Sequence, residues 1–209
     1  MGKGWNIHYS REEKRSMNDK TRNIVYGGVF AALMAVGAFI KIVLPVGPFL
    51  VTVSLQLFFA ILAGFLLGAR LGGFAVLSYL IIGLSGVPIF AHGGGPGYLL
   101  KPTFGFLIGF AAAAFVVGLL TGHFRKRDKR VFLLAALAGE GVYYLCGLAY
   151  YYLMANFFLS GVADIGIREL VLAWFLSTVL PDSAIALLSA ELAWRVGPVF
   201  ASAKVSASI

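Results

Sequence analysis

The sequence is poor in charge, poorest in acidic residues, and contains a single cysteine. Only 12% of its 209 residues are charged, with nine acidic residues against 17 lysines and arginines. Such a low charge content excludes an ordinary soluble domain, in which about a quarter of the residues are charged. Cys146 alone cannot form a disulfide within the chain or a cysteine metal cluster, and His92 has no second ligand nearby in the sequence. We therefore expect no metal and no cofactor.

Long apolar runs fill most of the chain instead. Hydrophobic residues make up 60% of the sequence. The runs lack the alternation of apolar and polar residues that is typical of outer-membrane barrel strands. Each is long enough to cross a bilayer as a helix. The sequence therefore predicts an all-α integral membrane protein with six transmembrane helices, at residues 24–44, 51–68, 72–90, 100–121, 131–157 and 170–196.

The basic residues indicate the orientation of these helices. Fourteen of the 17 lie in residues 1–22, in the loop at 123–130, at Arg70, or at Arg195 and Lys204 near the end of the chain. The positive-inside rule then places both termini in the cytoplasm. Topology accounts for the basic clusters, so no nucleic-acid partner is expected. We divide the chain into a basic cytoplasmic tail (1–22), a six-helix membrane substrate-binding domain (23–197) and a short cytoplasmic tail (198–209).

The predicted outer connections, at 45–48, 88–99 and 156–168, are rich in glycine, proline and aromatic residues. The second of them leads directly into the fourth run. Its glycines allow the backbone to approach a ligand closely, and the free N–H groups of the first helical turn favour a carboxylate. Irregular backbone at membrane depth is tolerated only where it is buried in protein or lines a cavity. We therefore predict a ligand site at Gly94, Gly95, Tyr98, Lys101 and Thr103.

Several segments in this part of the chain together resemble the BioY family, the membrane-embedded substrate-binding (S) subunits of energy-coupling-factor (ECF) transporters specific for biotin. The resemblance covers residues 24–195 and is strongest from 50 to 110. The segments that carry it are Val53-Ser-Leu-Gln-Leu57, Leu66-Leu-Gly-Ala-Arg-Leu-Gly72, Gly86-Val-Pro-Ile-Phe-Ala91, Gly94-Gly-Pro-Gly-Tyr-Leu-Leu with Pro102-Thr103, and Gly105-Phe-Leu-Ile-Gly109.

This resemblance implies a prokaryotic, multi-pass protein of the cell membrane that takes up a vitamin. Its site would open outward, and its partners would be a transmembrane coupling subunit and two cytoplasmic ATPases. The chain has no Gly-x-x-x-x-Gly-Lys-Ser/Thr pattern, so ATP hydrolysis would belong to those partners. The chain itself would not be an enzyme. Small residues in the first run, above all Ala31 and Ala35, would dock on the coupling subunit; packing within the bundle is the alternative.

The last helix departs from the family pattern. Members resemble Phe-x-Pro-Gly-Asp-x-x-Lys, whereas this chain reads Val179-Leu-Pro-Asp-Ser-Ala-Ile-Ala186. Ser183 therefore stands at the acid position and Ala186 at the lysine position, while Asp182 lies one residue early. A ureido ring needs an acceptor for its N–H groups, and a valerate carboxylate needs a cation.

Other polar side chains are candidates to replace the missing pair. Lys101 and the N–H groups near Thr103 would bind the carboxylate, although snorkelling of Lys101 to the interface is the alternative. Asp182 would reach the ligand if the turn at Pro181 is unwound; otherwise it is an interfacial acid at a helix start. Further candidates are Gln56, Ser183, and the wall residues Tyr151 and Asn156. For Gln56, an interhelical hydrogen bond is the alternative explanation.

Three alternatives remain at this stage. The same scaffold could bind a non-ureido acid such as lipoate, which would explain the loss of the acid at Ser183. The motif Gly83-x-Ser85-Gly86 resembles that of intramembrane serine proteases, but such an enzyme needs a histidine on a later membrane helix. A transporter acting alone would show inverted repeats, and none is evident.

Overall fold

Helices make up most of the computed structural model, which describes residues 3–46, 49–123, 128–158 and 166–206. Within these residues, four helical segments are long and apolar enough to cross a membrane, and two other apolar helices are shorter. The prediction of a largely helical membrane protein is confirmed, and the count of six crossings stays a prediction. The elements are α1 (Lys3–Phe39), β1 (Lys41–Val46), β2 (Phe49–Ser54), α2 (Gln56–Leu67), α3 (Ala69–Leu84), a 3₁₀ turn (Pro96–Leu100), α4 (Phe104–His123), α5 (Lys129–Leu153), a π-helical turn (Met154–Phe158), α6 (Ile167–Leu170), a π-helical segment (Val171–Leu176) and α7 (Ser177–Ser206).

A β-hairpin interrupts the helical pattern between α1 and α2. Its strands pair antiparallel, with Lys41 opposite Ser54 and Val46 opposite Phe49. Hydropathy predicted helices over 24–44 and 51–68, which is wrong for the residues in the strands. β-Branched residues dominate both strands and favour extended backbone, and Pro45 disfavours a helix. Residues 47 and 48 of the predicted outer connection lie outside the described residues.

Helix α2 lies at the centre of the bundle. It packs against α1, α3, α4 and α7, and Ala60, Ile61 and Ala63 are completely buried. A helix that is surrounded by protein must be apolar on all sides. The sequence of α2 satisfies this requirement with one exception, the amide of Gln56 at its first position.

Large apolar side chains cover the outside of the bundle. Ile24 on α1, Leu145 on α5 and Leu180 on α7 are 69% to 79% exposed. Soluble monomers rarely expose so much apolar surface, whereas lipid chains cover it favourably. The outer surface therefore agrees with a membrane environment.

The two ends of the chain are helical where they are described. Helix α1 runs without a break through the predicted tail and the first apolar run, so no element boundary marks residue 22. Helix α7 likewise continues past residue 197. The division into two tails and a membrane domain stays a prediction. Pro181 lies inside α7, so the unwound turn that would carry Asp182 to a ligand is not found.

Glycine allows α4 to pack directly on the connection between α2 and α3. A Cβ on Gly118 would lie 2.2 Å from the Ala69 nitrogen, whereas a Cβ on Gly122, one turn later, would meet nothing within 4 Å. We predict that Gly118→Ala destabilises the protein by roughly 1–3 kcal/mol because the backbone of α3 must move. Gly122→Ala should be neutral or slightly stabilising, since alanine favours helix. Thermal unfolding in detergent would compare the two variants, and equal melting temperatures would contradict the prediction.

Candidate ligand-binding site

A cavity of about 700 Å³, its open mouth included, lies between the hairpin, the loop after α3, and helices α4, α5 and α7. Aromatic rings and uncharged polar side chains share its walls. Among the described lining residues, none carries a carboxylate. The lining residues are Val51, Thr52, Ser54, Gln56, Ala91, His92, Tyr98, Thr103, Phe106, Leu107, Phe110, Tyr143, Trp174 and Thr178.

Two stacked aromatic pairs form one wall of this cavity. Phe106 stacks on Trp174, with ring centroids 5.6 Å apart and planes 25° apart. Phe110 stacks on Tyr143 at 5.0 Å and 15°. Such a wall offers flat apolar faces to a flat ring of a ligand.

Close packing of α4 on α5 sets the position of these rings. A Cβ on Gly147 would lie 2.1 Å from the Phe106 ring, and one on Gly109 would lie 2.8 Å from the Tyr143 carbonyl oxygen. Any larger side chain at either glycine would push the helices apart. The two glycines therefore position the aromatic wall.

Gln56 links the cavity to a buried polar chain. Its Nε2 donates to the Tyr79 hydroxyl at 2.8 Å, and that hydroxyl donates to the Ile89 carbonyl at 2.9 Å. Gln56 also lines the cavity. The interhelical hydrogen bond expected for Gln56 is present, and a ligand contact from the same side chain stays a prediction.

The glycines of the loop after α3 pack on the end of that helix. The Gly95 N–H donates to the Gly83 carbonyl at 2.7 Å, and Gly95 has a φ of +95°, which favours glycine. A Cβ on Gly94 would lie 2.2 Å from the Val87 carbonyl oxygen. Neither Gly94 nor Gly95 lines the cavity, so their direct contact with a ligand stays a prediction.

Tyr98 and Thr103, by contrast, line the cavity as the site prediction requires. Tyr98 is buried and packs against Phe90, with ring centroids 4.7 Å apart. Thr103 immediately precedes α4. The structure therefore brings these two residues together with Gln56 in one site.

Two lysines bind consecutive carbonyls of the loop at the cavity mouth. Lys41 Nζ, on β1, donates to the Ala91 carbonyl. Lys101 Nζ donates to the His92 carbonyl at 3.2 Å and lies 4.3 Å from the centroid of the Tyr98 ring. The Lys101 ammonium is thus at the mouth, although Lys101 is not among the residues that line the cavity. Lys41 is a second cation at this point.

His92 lies between these lysines. Its Nε2 is 3.1 Å from Thr52 Oγ1 on the hairpin. Partial burial lowers the pKa of His92, and the positive charges of Lys41 and Lys101 lower it further. The imidazole is therefore held in its neutral form more strongly than a free histidine would be.

The polar residues of α7 bond to α5. The Tyr144 hydroxyl donates to Asp182 Oδ2 at 2.7 Å, and Ser183 Oγ donates to both carboxylate oxygens of Glu140 at 2.8 and 3.0 Å. Asp182 is buried in the interior, so it is not an interfacial acid at a helix start. Neither Asp182 nor Ser183 lines the cavity.

Two of these findings differ from the sequence pattern. Glu140 is an acidic side chain inside an apolar run, and the described hydrogen bonds that it accepts come from Ser183. Ala186, at the lysine position, is completely buried. No cation therefore comes from this turn of α7.

The predicted wall residues lie behind or beside the cavity. Tyr151 packs against Trp174, with ring centroids 5.1 Å apart. Asn156 Nδ2 donates to the Tyr152 carbonyl at 3.0 Å. Neither lines the cavity, and their role as ligand contacts stays a prediction. Residues 159–165 of this outer connection lie outside the described residues.

Sequence patterns did not identify several lining residues. Thr52 and Ser54 were assigned to a helix, so their place on a strand beside the cavity was missed. Trp174 and Thr178 looked like ordinary members of an apolar run. Only their spacing of four residues, which puts both on one helix face, could have linked them.

Neither a metal site nor a serine-protease site is supported by the geometry of the described residues. Among the described residues, no group of three or more histidine, cysteine or acidic side chains could hold a metal. The Ser85 hydroxyl donates to the Ile82 carbonyl at 2.7 Å, and His92 bonds to Thr52. The protease motif therefore does not form a serine–histidine pair with His92.

Comparison with known proteins identifies the family of this cavity-bearing bundle. A sequence model described as the BioY family matches residues 11–202. The chain belongs to the BioY family. It is 42% identical over 184 residues to a probable biotin transporter BioY of Lysinibacillus sphaericus, which covers 88% of this chain and 91% of that protein.

Other members and a solved structure agree with this assignment. A biotin transporter BioY of Thermotoga maritima is 36% identical over 156 residues, covering 74% of this chain and 86% of the relative. A crystal structure of the S-component for biotin from an ECF-type ABC transporter has the same fold, with a TM-score of 0.63 at 21% identity, covering 86% and 92% of the two chains.

Membership of the BioY family decides between a transport protein and an intramembrane enzyme. BioY proteins are non-enzymatic membrane subunits of transporters, so this chain is a multi-pass transport protein and the serine-protease alternative is wrong.

The arrangement of Lys41, Lys101 and His92 gives a testable electrostatic prediction. We expect Lys101→Met to raise the pKa of His92, because removal of a nearby positive charge favours the protonated imidazole. The titration of the His92 ring protons by NMR in detergent measures this shift, with His92→Gln used to assign the signal. Arg70→Met, at the start of α3, is the control and should leave the titration unchanged. An unchanged or lower pKa in Lys101→Met would refute the placement of the ammonium.

Proposed function

We propose that this chain is the substrate-binding subunit of an ECF-type vitamin transporter and that it binds biotin in the cavity. It would bind the vitamin at the extracellular side of the cell membrane, with both termini in the cytoplasm. A transmembrane coupling subunit and two cytoplasmic ATPases would then drive its delivery. The names of the relatives and of the structural neighbour support this proposal.

The observation that carries the proposal is the combination of flat aromatic walls with uncharged polar groups in one cavity. The stacked pairs Phe106–Trp174 and Phe110–Tyr143 suit a fused bicyclic ring. Gln56, Tyr98, Thr103 and Thr178 offer hydrogen-bond donors and acceptors to a ureido group.

Charge at the mouth supports an orientation for the ligand. Three of the 17 basic residues fall on the predicted outer side, namely Lys41, Lys101 and Arg168. The first two meet at the carbonyls of Ala91 and His92. The bicyclic ring would thus lie against the aromatic wall, while the carboxylate tail points to Lys101 and Lys41 at the mouth.

A groove between α1 and α3 supports docking of the coupling subunit. Gly27, Gly28, Ala31, Ala32 and Ala35 line it together with side chains of α3. Such small residues allow another membrane helix to approach closely. Ala31 is also part of this chain's own core, while Ala35 is only partly buried. The proposed docking would therefore use a helix face that also packs within the bundle.

Ligand identity is tested by isothermal titration of the purified chain in detergent with biotin, dethiobiotin and lipoate. We expect biotin and dethiobiotin to bind, since both keep the ureido ring, and lipoate to give no signal. Lys101→Met should weaken biotin about tenfold through loss of a charge-assisted hydrogen bond, but should leave biotin methyl ester unaffected. Arg70→Met is the matched control. Binding of lipoate without biotin would show that this member has changed its ligand.

Docking is tested with Ala35→Trp, which should fill the groove while the cavity stays intact. We expect this variant to bind biotin normally but to lose co-purification with the coupling subunit. Ala31 is less suitable because its burial makes a large residue there disruptive. The control is Val29→Trp, on the opposite face of α1, where the side chain is half exposed. Equal co-purification of the two variants would exclude the groove as the docking surface.

A further inference from the structure

Thr178 stands in the cavity wall at the end of a buried hydrogen-bond chain. It lines the cavity and is only 4% exposed. Its Oγ1 donates to the Trp174 carbonyl at 2.5 Å and lies 2.7 Å from the Tyr144 hydroxyl oxygen. Asp182 lies four residues later on α7, hence on the same helix face, and accepts from Tyr144 at 2.7 Å.

The hydrogen-bonding partners of each hydroxyl determine where the protons lie in this series of hydrogen bonds. The Tyr144 hydroxyl has a single proton, which it donates to Asp182 Oδ2. The Thr178 proton then lies on the Trp174 carbonyl or on the Tyr144 oxygen, and both are within the protein. A hydroxyl has one proton and two lone pairs. Thr178 therefore presents only a lone pair to the cavity.

We infer that Thr178 accepts a hydrogen bond from an N–H group of the ligand, and that Tyr144 and Asp182 are positioning residues that keep Thr178 an acceptor. The ligand class is a flat ring bearing an N–H donor. This inference rests on the proposed function, in which that ring is the ureido ring of biotin.

The inference explains how the site works without an acid at Ser183. That hydroxyl is directed to Glu140 and not to the cavity. The carboxyl group of Asp182 instead lies behind Tyr144, whose hydroxyl connects it to Thr178 in the cavity wall. A buried acceptor that stays unpaired is costly, so Thr178 also discriminates against ligands that lack the N–H group.

The test measures dissociation constants for biotin and for two analogues, each methylated on one of the two ureido nitrogens. We expect Thr178→Val to raise the dissociation constant for biotin about tenfold to a hundredfold. For at least one methylated analogue, the same variant should raise the dissociation constant by less than about threefold, because that analogue has already lost the N–H donor. The matched control is Thr121→Val on α4, whose hydroxyl makes the same kind of bond, to the Val117 carbonyl at 2.8 Å, but does not line the cavity.

A second variant tests the positioning role. Asp182→Leu keeps the approximate shape of the side chain but removes the acceptor, so the Tyr144 proton turns towards Thr178 and competes with the ligand N–H group for its oxygen. Biotin should again bind more weakly. The double variant Thr178→Val/Asp182→Leu should lose no more affinity than Thr178→Val alone, since both changes act on the same acceptor. Additive losses would indicate a merely structural role and overturn the inference.

Other outcomes distinguish a failure of the role inferred for Thr178 from a failure of the proposed biotin binding. Equal losses for biotin and both analogues in Thr178→Val would overturn the role of Thr178, while biotin binding by the unaltered chain would still stand. Absence of biotin binding by the unaltered chain would overturn the proposed function and the inference with it. Size-exclusion chromatography of each variant in detergent verifies that it is folded.

Discussion

Buried hydrogen-bonding groups in an apolar bundle must find partners, and this requirement organises the half of the molecule that holds the cavity. Leaving one unpaired away from water is costly. The Gln56–Tyr79 bond ties α2 to α3, and the Tyr144–Asp182 bond ties α5 to α7. Because each bond joins two helices, satisfying the polar groups also sets the distances between the helices that line the cavity.

The same requirement governs the loop over the cavity mouth. Its carbonyls lack the regular partners of a helix, so other groups must bind them. Lys41 binds the carbonyl of Ala91 from the hairpin, and Lys101 binds that of His92 from the start of the next helix. The loop is therefore fixed from both sides by cations, and its sequence neighbours alone do not determine its position. A ligand carboxylate would compete for the same ammonium groups, which links ligand binding to the position of the loop.

Hydropathy and motifs predicted part of this arrangement for identifiable reasons. Helices α4 and α5 were predictable because their apolar runs are long. Gln56 was a candidate because it is a polar amide within an apolar run, and Tyr98 and Thr103 because they lie where the glycine-rich loop leads into the fourth run. The hairpin was not predictable from hydropathy, because a short β-branched run beside a long apolar run has the same hydropathy as the end of a helix. The role that we infer for Thr178 depends on its contact with Tyr144, 34 residues away in sequence. Such a contact depends on how α5 packs on α7, which local patterns do not encode.

The altered turn of α7 places its polar groups differently from the family pattern. Ala186 is packed completely in the core, so a cation cannot be restored there without rearranging the bundle. The positive charge lies at the mouth, on Lys101 and Lys41, where water and the loop carbonyls solvate it at little cost. The buried acidic side chain is Asp182, one residue from the family position, and it accepts a hydrogen bond from Tyr144. Separating the charges in this way avoids burying an ion pair, whose desolvation can outweigh its attraction. In the binding mode that we propose, a neutral hydroxyl contacts the ligand in place of a charge, which favours recognition by hydrogen-bond direction.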